Sequence, residues 1–251
     1  MPSVIARLDD VSLCYGDKIV LKNCTLDIVE GAITCVIGLS GAGKSTILRL
    51  LDGLRPPDGG HVYIRGRDLC HMTETDINKI RAKISLSFQF AALLDSLSVG
   101  ENVALPLREN TPLPEAEIKQ IVLDALDSVG LSHTYDNLPS ELSGGMLKRA
   151  GFARAIVMRP ELVLYDEPTT GLDPIVTHLI TDMIVRLRRK LGGTAVVISH
   201  DLQSIFMMAD YVAMLFEGAI IAYGTVEEMK RSLNPIVQQF LGGSEVGPIP
   251  I

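Results

Sequence analysis

Ile33-Thr-Cys-Val-Ile37 is an unbroken apolar and β-branched run, the pattern of a strand buried on both faces. Leu162-Val-Leu-Tyr165 and Ala195 to Ile198 repeat it. Between these runs the period changes. Ser45 to Leu51 has helical character, and Ile118, Ile121, Val122, Ala125, Leu126 and Val129 recur at i, i+3, i+4, i+7 to define one apolar helix face. A further helix is predicted from near Ser143 to about Arg159, stopped by Pro160. Ile175, Leu179, Met183, Leu187 and Leu191 are expected to line one face of the next. The N-terminal sixty-odd residues read as short strands broken by turns, and Arg55-Pro-Pro-Asp-Gly-Gly60 is a turn before the strand His61 to Ile64.

Buried strands alternating with helices predict a mostly parallel sheet covered on both faces. The helical block from about Gln89 to Arg159 reads as an insertion in that α/β core. Beyond Asn234, Pro235 to Leu241 is helix-like, and the end Gly247-Pro-Ile-Pro-Ile251 is expected to be extended. This tail is expected either to fray or to reach outward and clasp a partner chain.

Composition adds exclusions. With 47% hydrophobic and 21% charged residues the chain is ordinary for a globular protein, and without Trp its core must rest on aliphatic side chains. A net charge of −7 predicts no general attraction to nucleic acid. The longest charge-free runs, Gly31 to Gly43 and Ser232 to Ser244, fall short of the roughly 20 apolar residues of a membrane span. The start, MPSVIARLDD, lacks the pattern of a secretory signal. Cys14, Cys24, Cys35 and Cys70 form no CxxC pair and have no nearby His at metal spacing, so free thiols in a reducing compartment are expected. A soluble, cytosolic protein follows as the expectation.

The chemistry begins at Gly38-Leu-Ser40-Gly41-Ala-Gly43-Lys44-Ser45-Thr46, which fits the GxxxxGK[ST] phosphate loop. Its glycines let successive N–H groups turn inward, and the following helix adds its positive end. Lys44 is suited to reach the β- and γ-phosphates of a nucleotide, and the Ser45 hydroxyl to ligate Mg²⁺. Asp166 and Glu167 follow the second apolar strand, where a buried strand presents acids at its C-terminal edge. There Asp166 would hold Mg²⁺ through water and Glu167 would polarise an attacking water. Alone, such a pair is often merely solvated; beside a phosphate loop it points to hydrolysis. Leu142-Ser143-Gly144-Gly145-Met146 opens a helix with Ser143 as its N-cap.

Taken in order, the phosphate loop, Gln89, the LSGG signature, Asp166-Glu167, Asp173 and His200 resemble the ATP-binding cassette family over about residues 4 to 233. That resemblance implies an α/β P-loop NTPase with a RecA-like core, an antiparallel β subdomain and an inserted α-helical subdomain. The nucleotide-binding domain would occupy residues 1–233, the helical subdomain about 89–159 and a C-terminal extension 234–251. It implies ATP and Mg²⁺ as ligands, Tyr15 stacking on adenine, and Gln89 sensing Mg²⁺ and water while linking the site to a membrane partner. His200 would contact the γ-phosphate. Ser143, Gly144 and Gly145 would contact it from a second copy of the chain, with Gly171-Leu-Asp173 meeting its twin. Each signature then completes the partner's site, so a homodimer is implied. Most family members carry Gln at the position of Met146, which cannot donate a hydrogen bond, so altered ribose-side contacts with retained activity are expected.

The stretch from Gln89 to Leu107, with Asp95-Ser and Glu101-Asn-Val, is similar to the Mla/Mce-type ATPases, as are Met146 and the Gly-Pro-Ile-Pro tail. This implies an ATPase subunit moving phospholipid between the two membranes of a diderm envelope. Permease subunits would dock near Gln89 to Leu107, a lipid-binding MCE-type protein would be a further partner, and the chain would sit on the cytoplasmic face of the inner membrane. Two other readings remain: an import cassette for amino acids or other small solutes, and a non-transport cassette signalling through a membrane protein in cell division. Translation-factor cassettes usually hold two cassettes in one chain, which argues against that class.

Overall fold

A computed structural model of the chain describes residues 2–87 and 92–250. The N-terminal half builds β1 (Val4–Tyr15), β2 (Lys18–Val29), β3 (Ile33–Ile37), α1 (Lys44–Leu51), β4 (Gly59–Ile64), β5 (Arg67–Asp68), α2 (Glu74–Arg81) and β6 (Ile84–Ser87). Three helices follow, α3 (Val99–Asn110), α4 (Glu115–Ser128) and α5 (Gly144–Ile156). The chain then forms β7 (Leu162–Asp166), α6 (Pro174–Leu191), β8 (Thr194–Ile198), α7 (Leu202–Met208), β9 (Tyr211–Phe216), β10 (Ala219–Thr225), α8 (Val226–Lys230) and α9 (Pro235–Gly242).

A six-stranded sheet in the order β10-β9-β3-β8-β7-β6 forms the centre, parallel except for the β9–β10 hairpin. A four-stranded antiparallel sheet, β2-β1-β4-β5, lies beside it. The unbroken apolar runs are explained by what covers each face of the central sheet. Ile33, Cys35, Ile37, Val163, Tyr165, Ala195 and Val197 pack into one core with residues of α3 to α6. The alternate residues Val36, Leu162, Leu164, Val196 and Ile198 pack into a second core with α1 and the antiparallel sheet. Period-2 alternation therefore sorts an all-apolar strand between two cores, and no polar face is needed.

Between the adjacent strands β6 and β7 the chain departs to build α3, α4 and α5, which pack on one another. Ile118, Val122, Ala125, Leu126 and Val129 of the anticipated α4 face are buried. At the start of α3, Ser98 and Glu101 form a reciprocal capping box. Asn102 is wholly buried there, its amide donating to the carbonyls of Leu94, Leu97 and Ser98 while its oxygen accepts from the Leu94 N–H.

Two expectations need correction. On α6 the buried stripe is Ile180, Met183, Ile184 and Leu187, whereas Ile175 is 82% exposed and Leu179 is also exposed. A string of i+4 steps advances about 40° per step around a helix, so five such residues cannot share one face. The tail differs too. Asn234 caps α9, Pro235 takes its first turn and Gly243 closes it in the left-handed conformation. The chain then folds back on itself: the Gln239 amide donates to the Ile249 carbonyl at 3.2 Å, and the Ile249 N–H donates to the Gln239 oxygen at 2.6 Å. Ile249 is buried in the main core of its own chain, so the tail does not extend outward as a clasp.

Among the described residues no helix is long and apolar enough to cross a membrane. All four cysteines are free, as expected, with Cys24 and Cys35 buried.

Candidate active site

The phosphate loop runs from the end of β3 into α1, and its glycines are dictated by backbone. Gly38 has φ 148°, and a Cβ there would overlap the carbonyl oxygen of Leu215. Gly43 has φ 104° just before α1, and a Cβ there would lie 2.8 Å from Val20 Cγ1. Ser40 and Gly41 form the loop's outer side, and Thr46 is buried in the first turn of α1. Lys44 is nearly buried and curls over the loop, its ammonium donating to the carbonyls of Gly38 and Leu39 at 2.9 Å each. Burial pulls its pKa down, against the opposing attraction of Glu167 and Asp166.

The acids lie at the C-terminal end of β7, beside this loop. The Ser45 hydroxyl donates to Asp166 Oδ1 at 3.0 Å, joining α1 to β7 through two side-chain oxygens. Burial raises the Asp166 pKa; the Ser45 bond opposes this, and the neighbouring Glu167 charge adds to it. Glu167 takes a left-handed φ of 49°, costly for a residue with a side chain, and its N–H is held by the Ile198 carbonyl at 3.0 Å. Its Oε2 meets His200 Nδ1 at 2.8 Å and accepts from the Thr170 hydroxyl at 2.9 Å. Phe152 meets the buried ring of Tyr165 edge-on at 5.2 Å, fixing the strand just before the acids.

The signature lies elsewhere on the surface, on a helix that packs on α3, α4 and β6, whereas α1 packs on β4, β7 and β8. Ser143 caps α5, accepting from the Met146 N–H at 3.4 Å. That bond uses an oxygen lone pair, so the hydroxyl proton stays available to an anion beside the free N–H groups of Gly144 and Gly145. Asp173 caps α6 by accepting from the Ile175 and Val176 N–H groups at 3.0 Å each. A Cβ on Gly145 would come within 2.9 Å of Val176 Cγ1, so the signature and the start of α6 touch only because position 145 is glycine.

The match to known proteins is as extensive as the site. Residues 21–170 match the model of the ABC transporter family. The chain is 41% identical over 245 residues to the intermembrane phospholipid transport system ATP-binding protein MlaF of Haemophilus influenzae, covering 98% of this chain and 93% of that protein. It is 39% identical over 246 residues to the MlaF of Escherichia coli, covering 98% and 91%. The dimeric post-hydrolysis structure of the ATP-binding cassette MJ0796, bound to ADP and Pi, superposes with a TM-score of 0.80 at 31% identity, covering 88% of this chain and 98% of that one. The chain belongs to the ABC transporter family.

It is therefore an ABC ATPase cassette, a P-loop NTPase that binds ATP, and such cassettes act as dimers with membrane permease partners. Tyr15 stands exposed at the end of β1 with the Arg55 guanidinium 5.9 Å from its ring centroid, so one cation already leans on a ring that a base could stack against. Gln89 lies outside the described residues. Met146 packs its side chain against the main core.

Three contributors to this cassette's site were not singled out from sequence. The Lys148 ammonium donates to the carbonyls of Pro168 and Thr170 at 3.0 and 2.7 Å, tying α5 to the loop after Glu167. Burial lowers its pKa, against the attraction of Glu167. Thr170 orients the Glu167 carboxylate, and Arg55 attends Tyr15. Lys148 sits one turn and a half past the Ser143 cap, where helical spacing from the signature was the available signal.

Proposed function

We propose that this cassette is the ATP-hydrolysing subunit of a transporter that moves phospholipid between two membranes, working as a homodimer on permease subunits at the cytoplasmic face of the inner membrane. The observation that carries this reading is the likeness to two MlaF proteins at 39–41% identity along 98% of the chain, which reaches well beyond the nucleotide motifs. A groove of about 500 Å³ supports the permease contact. It is lined by Asp52, Arg81, Ser85, Pro106, Asn110 and Arg154 among others, and Arg154 reaches from it to the Ala92 carbonyl at 2.7 Å, within the stretch proposed for docking.

In this reading the N–H groups of the phosphate loop and Lys44 bind the phosphates of ATP, and burial keeps the lysine aimed inward. Exposed Tyr15 stacks on the adenine. The Ser45 hydroxyl and Asp166 carboxylate, 3.0 Å apart, offer adjacent oxygen donors of the hard type that suits Mg²⁺. When bound there, Mg²⁺ supplies positive charge to the phosphate oxygens. Glu167, held by Thr170 and His200, orients water and takes its proton, while His200, beside that carboxylate, contacts the γ-phosphate. Ser143, Gly144 and Gly145 of a second copy close over the phosphates, since the signature and phosphate loop of one chain sit on separate packing units. The dimeric MJ0796 cassette with ADP and Pi supports that arrangement. A lipid-binding MCE-type protein completes the assembly as proposed.

Purifying the cassette with its membrane partner and identifying the bound small molecules by mass spectrometry tests the assignment. Phospholipid held by the complex is expected. An amino acid or other small solute would turn the reading to an importer, and a permease-free division protein would turn it to signalling.

A further inference from the structure

We propose that His61, Asp68 and His71 form a divalent transition-metal site, suited to Zn²⁺, that staples the hairpin of the antiparallel sheet. None of these residues belongs to the nucleotide site. In β4, Val62 and Ile64 point into the core, so His61 and Tyr63 share the outer face. The chain reverses at Arg65-Gly66 and pairs Tyr63 with Asp68, which brings the carboxylate onto the same side as His61. A single 3-10 turn, Leu69 to His71, then begins at Asp68. Side chains three residues apart eclipse in such a turn, so His71 returns over Asp68.

The resulting distances suit metal ligation. His61 Nδ1 lies 2.8 Å and His71 Nε2 3.5 Å from Asp68 Oδ2, and the three ligand atoms all fall within 4.8 Å of one another. A tetrahedral ion with bonds of 2.0–2.1 Å places neighbouring donors about 3.4 Å apart, so small side-chain shifts complete the triangle. The carboxylate is already braced, because Oδ1 accepts the Cys70 N–H at 3.0 Å while Oδ2 faces the imidazoles. The His71 side chain is 76% exposed, which leaves an entry path and room for a water as fourth ligand. Two imidazoles and one carboxylate select Zn²⁺ and its transition-metal neighbours over Mg²⁺, which prefers oxygen donors. Binding displaces the Nδ1 proton of His61 if that nitrogen carries it, and the metal takes its place against Asp68.

The test titrates ZnCl₂ into the full chain without nucleotide, reading stoichiometry by competition with a chelating dye and the five histidines by NMR. One equivalent is expected to shift the His61 and His71 ring resonances together, with His133, His178 and His200 unmoved and Mg²⁺ without effect. Asp68→Asn keeps the capping oxygen and removes the charge, and His71→Ala changes an exposed side chain. Each should weaken Zn²⁺ binding by more than the roughly 10- to 100-fold that losing an outer-shell partner costs. Unmoved His61 and His71 resonances, or variants that bind as tightly as the unaltered chain, would overturn the site.

Discussion

The Glu167 carboxylate and the His200 imidazole meet at 2.8 Å, across a loop that places Glu167 in the left-handed region. Thr170 holds the same carboxylate oxygen, so Glu167 is set in place before any substrate arrives. Glu167→Gln should keep the shape, bind ATP and accumulate as a closed dimer in size exclusion with MgATP, with turnover lowered by about 10²–10⁴-fold. His200→Ala should lower kcat with little change in nucleotide affinity. Near-normal hydrolysis by Glu167→Gln would remove it from the role of base.

Lys44→Ala removes an inward-facing charge on a buried segment of the loop. Fluorescent-nucleotide titration should show ATP affinity lowered by at least the 1.5–3 kcal/mol or so of a charge-assisted bond, roughly 10- to 150-fold. Circular dichroism should be unchanged, because the lysine bonds only to loop carbonyls. Unaltered affinity would contradict the loop's role.

Ser143→Arg and Lys44→Ala should each be inactive as homodimers. Mixed chains form heterodimers with one intact composite site, pairing the phosphate loop of the first variant with the signature of the second. Mixing is expected to restore part of the turnover. A fully active Ser143→Arg homodimer would reduce the signature to a helix cap.

Asp52 closes α1 and is buried, which pushes its carboxyl up to about 6, although Arg81 pulls the other way. A raised acid contributes its full stability below the unfolded value near 4 and loses it as pH climbs through 6. Asp52→Asn does not titrate, so its stability relative to the unaltered chain should improve between pH 4 and pH 8 by on the order of 2–3 kcal/mol. Denaturant melts at both pH values measure this, and a pH-independent difference would show that Asp52 titrates normally.

What could be read from the sequence follows from how local each signal is. The three apolar strands, the phosphate loop and the Ser143 cap depend on neighbours within a few residues, and they stand where expected. The α6 stripe was misread because i+4 spacing alone does not track a helix face. Asn102 gave no sign of its part, since its partners are backbone groups gathered by a loop. The buried tail depended on Gln239 reaching Ile249 ten residues away, and the His61–Asp68–His71 cluster on a hairpin turn. In the proposed homodimer the second half of the site comes from another copy of the chain, so only the resemblance pointed to it.

The central claim is that ATP hydrolysis at this site drives phospholipid between membranes. The most direct measurement reconstitutes the cassette with its membrane partners and follows labelled phospholipid passing to an acceptor membrane. Transfer is expected to require MgATP and to stop with Glu167→Gln. Phospholipid transfer indifferent to ATP, alongside ATPase activity stimulated by an amino acid, would contradict the account.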